Sequence, residues 1–181
     1  MEPKKSCSAP QKDLSTCTPP SNSFATGSMS SPWKLLILSY PHPSLSTTPG
    51  SPPPENWIKL NVDAALSNSK ASLAVVARDH NSFVINVWAR LVRIHSLLQD
   101  EADAFLWAFQ LSNREHRSHV IFKDDAKACF DSLSSTELTV DLSIHATLSN
   151  ILSLAECFVD CSSIWVKRIC NSVAHAAAKF A

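Results

Sequence analysis

The last two thirds of this chain contain neither glycine nor proline. Both glycines and all 11 prolines of the 181-residue sequence lie at or before Pro54. A break this sharp marks a boundary, so the loop-like composition of the front does not extend past it. The Ser-, Thr- and Pro-rich front has too little apolar periodicity to offset its ordering entropy. We therefore predict a disordered leader over residues 1–56 and one domain over residues 57–181.

An excess of charge of either sign is also missing. The sequence has 16 basic and 16 acidic residues, and from Trp57 onward 12 basic residues stand against 13 acidic ones. This balance excludes a module that holds nucleic acid through its overall charge. A nucleic-acid partner would have to be bound by a local basic patch or through metal ions.

Long hydrophobic runs and zinc-type cysteine spacings are absent as well. The apolar stretch 35–38 is far too short to span a membrane, and the charged start is not a secretory signal. The six cysteines form no CxxC pair, so we expect reduced, buried thiols rather than a zinc site. We expect an intracellular protein without a membrane partner, in either the nucleus or the cytoplasm.

What the domain does contain is a change of hydrophobic period along the chain. The first three apolar segments have the pattern of strands, and the later segments alternate between helical and strand patterns. The order β-β-β-α-β-α-α-β-α predicts an α/β fold with a mixed five-stranded sheet flanked by helices. The predicted strands are 57–63, 71–78, 83–92, 120–122 and 161–169, and the predicted helices are 97–114, 126–133, 142–158 and 171–181, with Asn171 as the last N-cap.

Three carboxylates fall at informative places in this order. Asp63 ends the first strand, Glu101 lies early in the first long helix, and Asp125 follows the fourth strand. If the first and fourth strands are parallel neighbours, these groups meet at one sheet edge, where α/β folds bind ligands. Clustered carboxylates need cations between them, and Mg²⁺ prefers oxygen ligands. Taken singly, each residue has an ordinary alternative role as a turn, cap or helix-dipole residue.

Five short stretches resemble the plant and retroelement type of ribonuclease H domain. They are KLNVDAA, RDHNSFV, DEADAFLWAFQLS, IFKDDAKACFDSL and VKRICNSVAHAAAKFA. They occur in the family's order, and the resemblance covers residues 57 to 181. The resemblance implies the RNase H type-1 fold and a monomeric hydrolase that binds nucleic acid. It further implies an endonuclease that cuts the RNA strand of RNA–DNA hybrids with two Mg²⁺ ions, or Mn²⁺ in their place.

The resemblance also assigns the site residues. Asp63 matches the first catalytic aspartate, Glu101 the helical glutamate, and Asp125 the second aspartate, so these three would hold the metal. Asp124 is the alternative to Asp125, which we prefer because the family acid often comes two residues before a lysine. His175 occupies the fourth acidic position, where an imidazole would ligate metal or shuttle a proton. Its ordinary alternative is a partly buried helix residue.

Departures from the family pattern open two alternatives. The family's usual glycine positions hold Ala64, Ser72, Ala74 and Ser82, and the fourth acid is His175. These changes favour a nucleic-acid-binding domain with an impaired catalytic site, or a degenerate retroelement remnant.

Basic and aromatic residues add weaker hypotheses. Five basic residues are candidates for phosphate contacts, although each is also typical of a solvated surface: Arg78, Lys123, Lys127, Lys167 and Arg168. Four tryptophans could stack on bases, but core packing is the better interpretation for most of them: Trp57, Trp88, Trp107 and Trp165.

Overall fold

A computed structural model describes residues 51–134 and 142–181, so the prediction for the leader up to residue 50 lies outside the described residues. The described part contains a mixed five-stranded sheet in the order β3-β2-β1-β4-β5. The central strand β1 is antiparallel to β2 and parallel to β4, which confirms the predicted fold class. The strands are β1 (Ile58–Leu66), β2 (Lys70–Arg78), β3 (Val84–Arg93), β4 (His119–Asp124) and β5 (Asp160–Trp165).

Helices cover both faces of the sheet. On one face, α1 and α3 enclose the main core, in which Phe105 and Phe109 of α1 pack against Phe122 of β4. On the other face, α4 lies across β1 and β2 and buries Ala174 and Ala178. The helices are α1 (Leu97–Arg114), α2 (Lys127–Ser134), α3 (Leu142–Ala155) and α4 (Ser172–Phe180), and a 3₁₀ turn (Arg168–Asn171) precedes α4.

Alternation along β1 assigns its polar residues to the α4 face. Leu60 and Val62 belong to the core under α1, so Lys59, Asn61 and Asp63 point the opposite way. The strand continues to Leu66, which shows that the predicted end at Asp63 was wrong. The antiparallel partner β2 sustains this longer strand, because it pairs with β1 as far as Leu66.

The carboxyl-terminal boundary of β5 also differs from the prediction. A strand was predicted to Ile169, but β5 ends at Trp165 because its parallel partner β4 ends at Asp124, opposite Trp165. The chain then enters the 3₁₀ turn. Asn171 stands at the N-cap position of α4 as predicted, yet its side chain makes no capping hydrogen bond.

Several side chains are less buried than the sequence suggested. Only Cys129 is a buried thiol among the described cysteines, whereas Cys157 is exposed. All four tryptophans of the domain are half-buried or exposed, and Trp165 is 41% exposed.

In the described part of the chain, no helix has the length and apolar character needed to cross a membrane.

Candidate active site

Asp63 is an almost completely buried carboxylate on the α4 face of β1. Its side chain is 3% exposed, and its Oδ2 lies 3.1 Å from Nδ1 of His175, one turn into α4. Asn61 of β1 lies opposite Lys123 of β4, so two residues further along each parallel strand Asp63 comes level with Asp125. Strand pairing therefore brings Asp125 level with Asp63, and α4 adds His175 beside them.

Asp125 lies immediately after β4 and is held by two neighbours from the segment before α4. Asn171 Nδ2 donates to Asp125 Oδ1 at 2.6 Å, and Arg168 Nε lies 3.6 Å from Asp125 Oδ2. The backbone carbonyl of Asp125 accepts from the Trp165 indole N–H at 3.1 Å. Both carboxylate oxygens of Asp125 thus face a nitrogen donor.

Asn171 ties the segment before α4 to the central strand. It is 1% exposed, its Nδ2 also donates to the Val62 carbonyl, and its Oδ1 accepts from Asn61 Nδ2 at 3.0 Å. Sequence reasoning gave this residue only a capping role, and it treated Arg168 only as a possible phosphate contact. The signal available in the sequence was a single asparagine directly before a helix, and that signal does not distinguish a cap from a tertiary bridge.

Glu101 comes from α1 and completes the group of carboxylates. Burial, together with the charges of Asp125 and Asp63 and against that of Arg168, raises the pKa of Glu101 to about 7. The pKa of Asp63 is raised to about 6, mainly by burial. The hydrogen bond with His175 acts to lower this pKa, and the charge of Asp125 acts to raise it. The structure therefore places Asp63 and Asp125 close enough to Glu101 for their charges to oppose its ionisation.

The chemistry of this donor set suits a divalent cation. Asp63, Glu101 and Asp125 form an oxygen-rich, acidic group of the kind that hard divalent ions occupy. When Nδ1 of His175 carries the proton in its bond to Asp63, the neutral ring leaves Nε2 as an acceptor. The arrangement can hold metal and can accept a proton.

Asp124, the alternative second aspartate, lies in a different environment from Asp125. It is 3% exposed, its Oδ1 accepts from the Ala126 N–H at 3.1 Å, and its Oδ2 has no partner among the described residues. Burial raises the pKa of Asp124 well above its usual range. Asp125, and not Asp124, makes the contacts to Asn171 and Arg168.

A separate group of potential ligands lies at the start of α1. The ligand atoms of His95, Asp100 and Asp103 lie within 4.8 Å of one another, and within the described ranges they are the residues that meet this criterion. Hydrogen bonds join His95 to Asp100, whereas Asp103 accepts from Gln99 and Thr147. As a group, Asp63, Glu101, Asp125 and His175 do not meet this distance criterion.

The basic candidates and the glycine-replacing residues have mixed positions. Lys127 pairs with Asp131 on an exposed helix face, whereas Lys123 is 5% exposed and therefore is not the solvated surface charge that was expected. Among the positions where the family usually has glycine, Ser82 has a φ of 64°, in the left-handed region that favours glycine. Ser72 is buried, and its hydroxyl has no partner among the described residues.

Comparisons with known proteins agree on one family and fold. The profile of the reverse transcriptase-like family matches residues 61–181. Among solved structures, ribonuclease H1 of the halophilic archaeon Halobacterium salinarum has a TM-score of 0.63 at 18% identity, covering 68% of this chain and 95% of that one. Among curated proteins, none matches the chain.

Two further solved structures have the same fold. The N-terminal ribonuclease H domain of Rv2228c from Mycobacterium tuberculosis, solved as a maltose binding protein fusion, has a TM-score of 0.62 at 13% identity, covering 68% of this chain and 91% of that one. LC11 ribonuclease H1, isolated from compost by a metagenomic approach and solved with an RNA/DNA hybrid, has a TM-score of 0.60 at 13% identity, covering 68% and 95%. These likenesses confirm the ribonuclease H-like fold.

Proposed function

Because the chain belongs to the reverse transcriptase-like family, we propose that it is a metal-dependent endonuclease that hydrolyses the RNA strand of RNA–DNA hybrids. The observation that carries this proposal is the convergence of Asp63, Glu101 and Asp125 at one edge of a ribonuclease H-like sheet. A similar fold has been solved with an RNA/DNA hybrid bound, which supports a hybrid as the substrate class.

In this proposal the carboxylates hold the metal and the neighbouring residues orient them. Asp63, Glu101 and Asp125 would hold two Mg²⁺ ions, which when bound supply hydroxide for attack on the phosphate and neutralise the leaving 3′ oxygen. Asn171 fixes the rotamer of Asp125 through its 2.6 Å hydrogen bond. His175 orients Asp63 and offers a proton acceptor beside it.

Cleavage of a labelled RNA–DNA hybrid tests the proposal. We expect cutting of the RNA strand by the full chain with Mg²⁺, and none with chelator. Asp63→Asn is expected to lower the rate at least ~100-fold, since loss of a direct ligand should exceed the effect of losing an outer-shell partner. The matched control is Asp131→Asn, an exposed aspartate that pairs with Lys127, and it should cut at the parent rate. Equal rates for both variants would refute the site.

A second candidate is a hybrid-binding domain with an impaired catalytic site. The observation that favours it is that both oxygens of Asp125 already face Asn171 and Arg168, so a metal ion must displace or share these contacts. The guanidinium of Arg168 supplies positive charge beside Asp125. Such a domain would bind the hybrid without turning it over.

Arg168→Ala distinguishes the two candidates. If the Arg168 contact blocks the metal, this substitution should create or increase Mg²⁺-dependent cleavage and tighten Mg²⁺ binding in calorimetry. If Arg168 instead positions Asp125 or contacts the phosphate backbone of the hybrid, its loss should lower cleavage. Lys167→Ala, next to it in the chain and exposed, is the control for loss of surface charge.

A further inference from the structure

A cavity on the α4 face of the sheet is lined by three basic side chains. Lys59 on β1 lies opposite Arg78 on β2, and Lys123 on β4 lies opposite Asn61, two residues along β1 from Lys59. These three cations line a cavity of about 230 Å³, which we call the lysine cavity. Cys170 and Val173 close it from the 3₁₀ turn and α4, so helix and sheet both contribute walls.

The positive charge of this cavity has no carboxylate to balance it. None of its described lining residues is acidic, and none of the ion pairs in the described part of the chain includes Lys59, Arg78 or Lys123. The two lysines are each 5% exposed, so water screens them little. Buried charges without partners are costly, and an oxyanion would offset that cost through charge-assisted hydrogen bonds.

The donors have capacity left for a ligand. Lys59 Nζ donates to the Ser51 carbonyl at 2.8 Å, and an ammonium has three N–H donors. Arg78 Nη1 donates to the Ser82 carbonyl at 3.0 Å, which leaves other N–H groups of the guanidinium. Burial, with Lys123 and Arg78 nearby, lowers the pKa of Lys59 to about 8, so Lys59 still carries its charge at neutral pH.

We propose that the lysine cavity binds a small oxyanion of the phosphate type, held by Lys59, Arg78 and Lys123. The cavity is smaller than the ~300–1,000 Å³ typical of pockets for drug-sized ligands, which favours a single phosphate group. Both inorganic phosphate and a terminal phosphate monoester present this chemistry. None of the lining residues is one of the site carboxylates, and the proposal does not depend on the proposed nuclease activity.

Calorimetry with inorganic phosphate tests the site in the full chain, with chelator present so that no metal takes part. We expect saturable binding at one site, weakened at least ~10-fold in Lys123→Gln, since hydrogen bonds to charged groups are worth more than one decade of affinity. Lys70→Gln, an exposed lysine at the start of β2, is the control and should bind like the parent. Absence of saturable binding, or equal affinity in both variants, would overturn the proposal.

Thermal unfolding gives a second readout that a purely structural role would not produce. Without phosphate, Lys123→Gln should unfold at a higher temperature than the parent, because it removes a buried charge. Phosphate should then raise the unfolding temperature of the parent more than that of Lys123→Gln, so that the difference between them narrows or reverses. NaCl at the same ionic strength should not have this effect. A difference that phosphate leaves unchanged would count against the site. If Lys123→Gln does not fold, Arg78→Gln takes its place.

A 5′-nucleoside monophosphate distinguishes the two sources of the anion. Binding of inorganic phosphate alone would assign the cavity to the free ion. Competition between the monophosphate and inorganic phosphate would assign it to phosphate monoesters. Failure of both to bind would reject the oxyanion assignment.

Discussion

Asp124 and Asp125 are adjacent in the chain, yet their side chains face different surroundings. Asp125 contacts Asn171 and Arg168, whereas Asp124 is enclosed and has one carboxylate oxygen without a partner among the described residues. Adjacent residues at a strand end point in different directions, so one of them can face the site while the other is buried. The family pattern favoured Asp125, and the contacts of the two side chains support that preference.

This difference predicts opposite effects of substituting the two aspartates. Asp125→Asn should lower hybrid cleavage at least ~100-fold, whereas Asp124→Asn should retain activity. Asp124→Asn should also raise the free energy of unfolding, and by more at pH 8 than at pH 5. The reason is that burial raises the pKa of Asp124, and ionising a buried carboxyl at high pH destabilises the fold. Urea denaturation at the two pH values, together with cleavage rates, measures both effects, and loss of activity in Asp124→Asn alone would reverse the assignment.

Ser82 is a second residue whose local environment leads to a prediction. Its φ of 64° is left-handed, and its carbonyl accepts from Arg78 in the β2–β3 hairpin. Left-handed geometry costs a residue with a Cβ roughly 1–2 kcal/mol. Glycine avoids this cost, but part of the gain is lost because glycine makes the unfolded chain more flexible. Ser82→Gly should therefore stabilise the protein by about 0.5–1 kcal/mol in urea denaturation. Asn81→Gly, at a neighbouring position without positive φ, should be neutral or destabilising, and an equal gain there would contradict the explanation.

At the scale of elements, the 3₁₀ turn before α4 connects the central strand β1 to Asp125, which follows β4. Asn171 joins it to Asn61, Val62 and Asp125, and Arg168 adds a contact to Asp125. The turn occupies part of the segment that the sequence pattern assigned to β5. Because β4 ends at Asp124, the later residues have no strand to pair with and are free to turn towards the carboxylates.

Asn171→Ala should therefore affect both stability and metal use. Loss of a buried side chain with several hydrogen bonds leaves partners unsatisfied, at a cost of about 1–3 kcal/mol. Misplacement of Asp125 should also raise the Mg²⁺ concentration needed for half-maximal cleavage about 10–100-fold. Asn150→Ala, on the exposed face of α3, is the control for an asparagine substitution. A stability loss without any change in the Mg²⁺ requirement would reduce Asn171 to a structural role.

At the scale of the whole molecule, the carboxylates make stability depend on pH and on metal. The pKa of Asp63 is raised to about 6 and that of Glu101 to about 7, so the folded protein holds more protons than the unfolded chain between about pH 4 and pH 7. The free energy of unfolding contributed by these groups should then fall as the pH rises through that window. Divalent ions that bind only the folded state should restore the free energy of unfolding that is lost at higher pH.

The corresponding measurement is urea denaturation at pH 5 and pH 8, with chelator and with Mg²⁺. With chelator, the parent should be less stable at pH 8, and Glu101→Gln should show a shallower pH dependence. Mg²⁺ should stabilise the parent at pH 8 much more than at pH 5, and should do so only weakly in Glu101→Gln. A Mg²⁺ effect of equal size in parent and variant would place the metal elsewhere, for example at the ligand group of His95, Asp100 and Asp103.

The sequence by itself determined the order of elements and the family, because both depend on local patterns. Hydrophobic period identified the strands and helices closely enough that α1 begins and ends where predicted, at Leu97 and Arg114. Motif order identified Asp63, Glu101, Asp125 and His175 as the candidate site residues. Boundaries failed where a partner strand decides the length, as at the ends of β1 and β5.

Only the tertiary structure decided which polar side chains meet. Asn61 and Asn171 are 110 residues apart in the chain, and no local pattern predicts their hydrogen bond. The burial of Asp124 and the grouping of Lys59, Arg78 and Lys123 likewise depend on strand register and on the docking of α4. Periodicity reports which face a residue occupies, whereas contact between faces depends on packing across the whole fold.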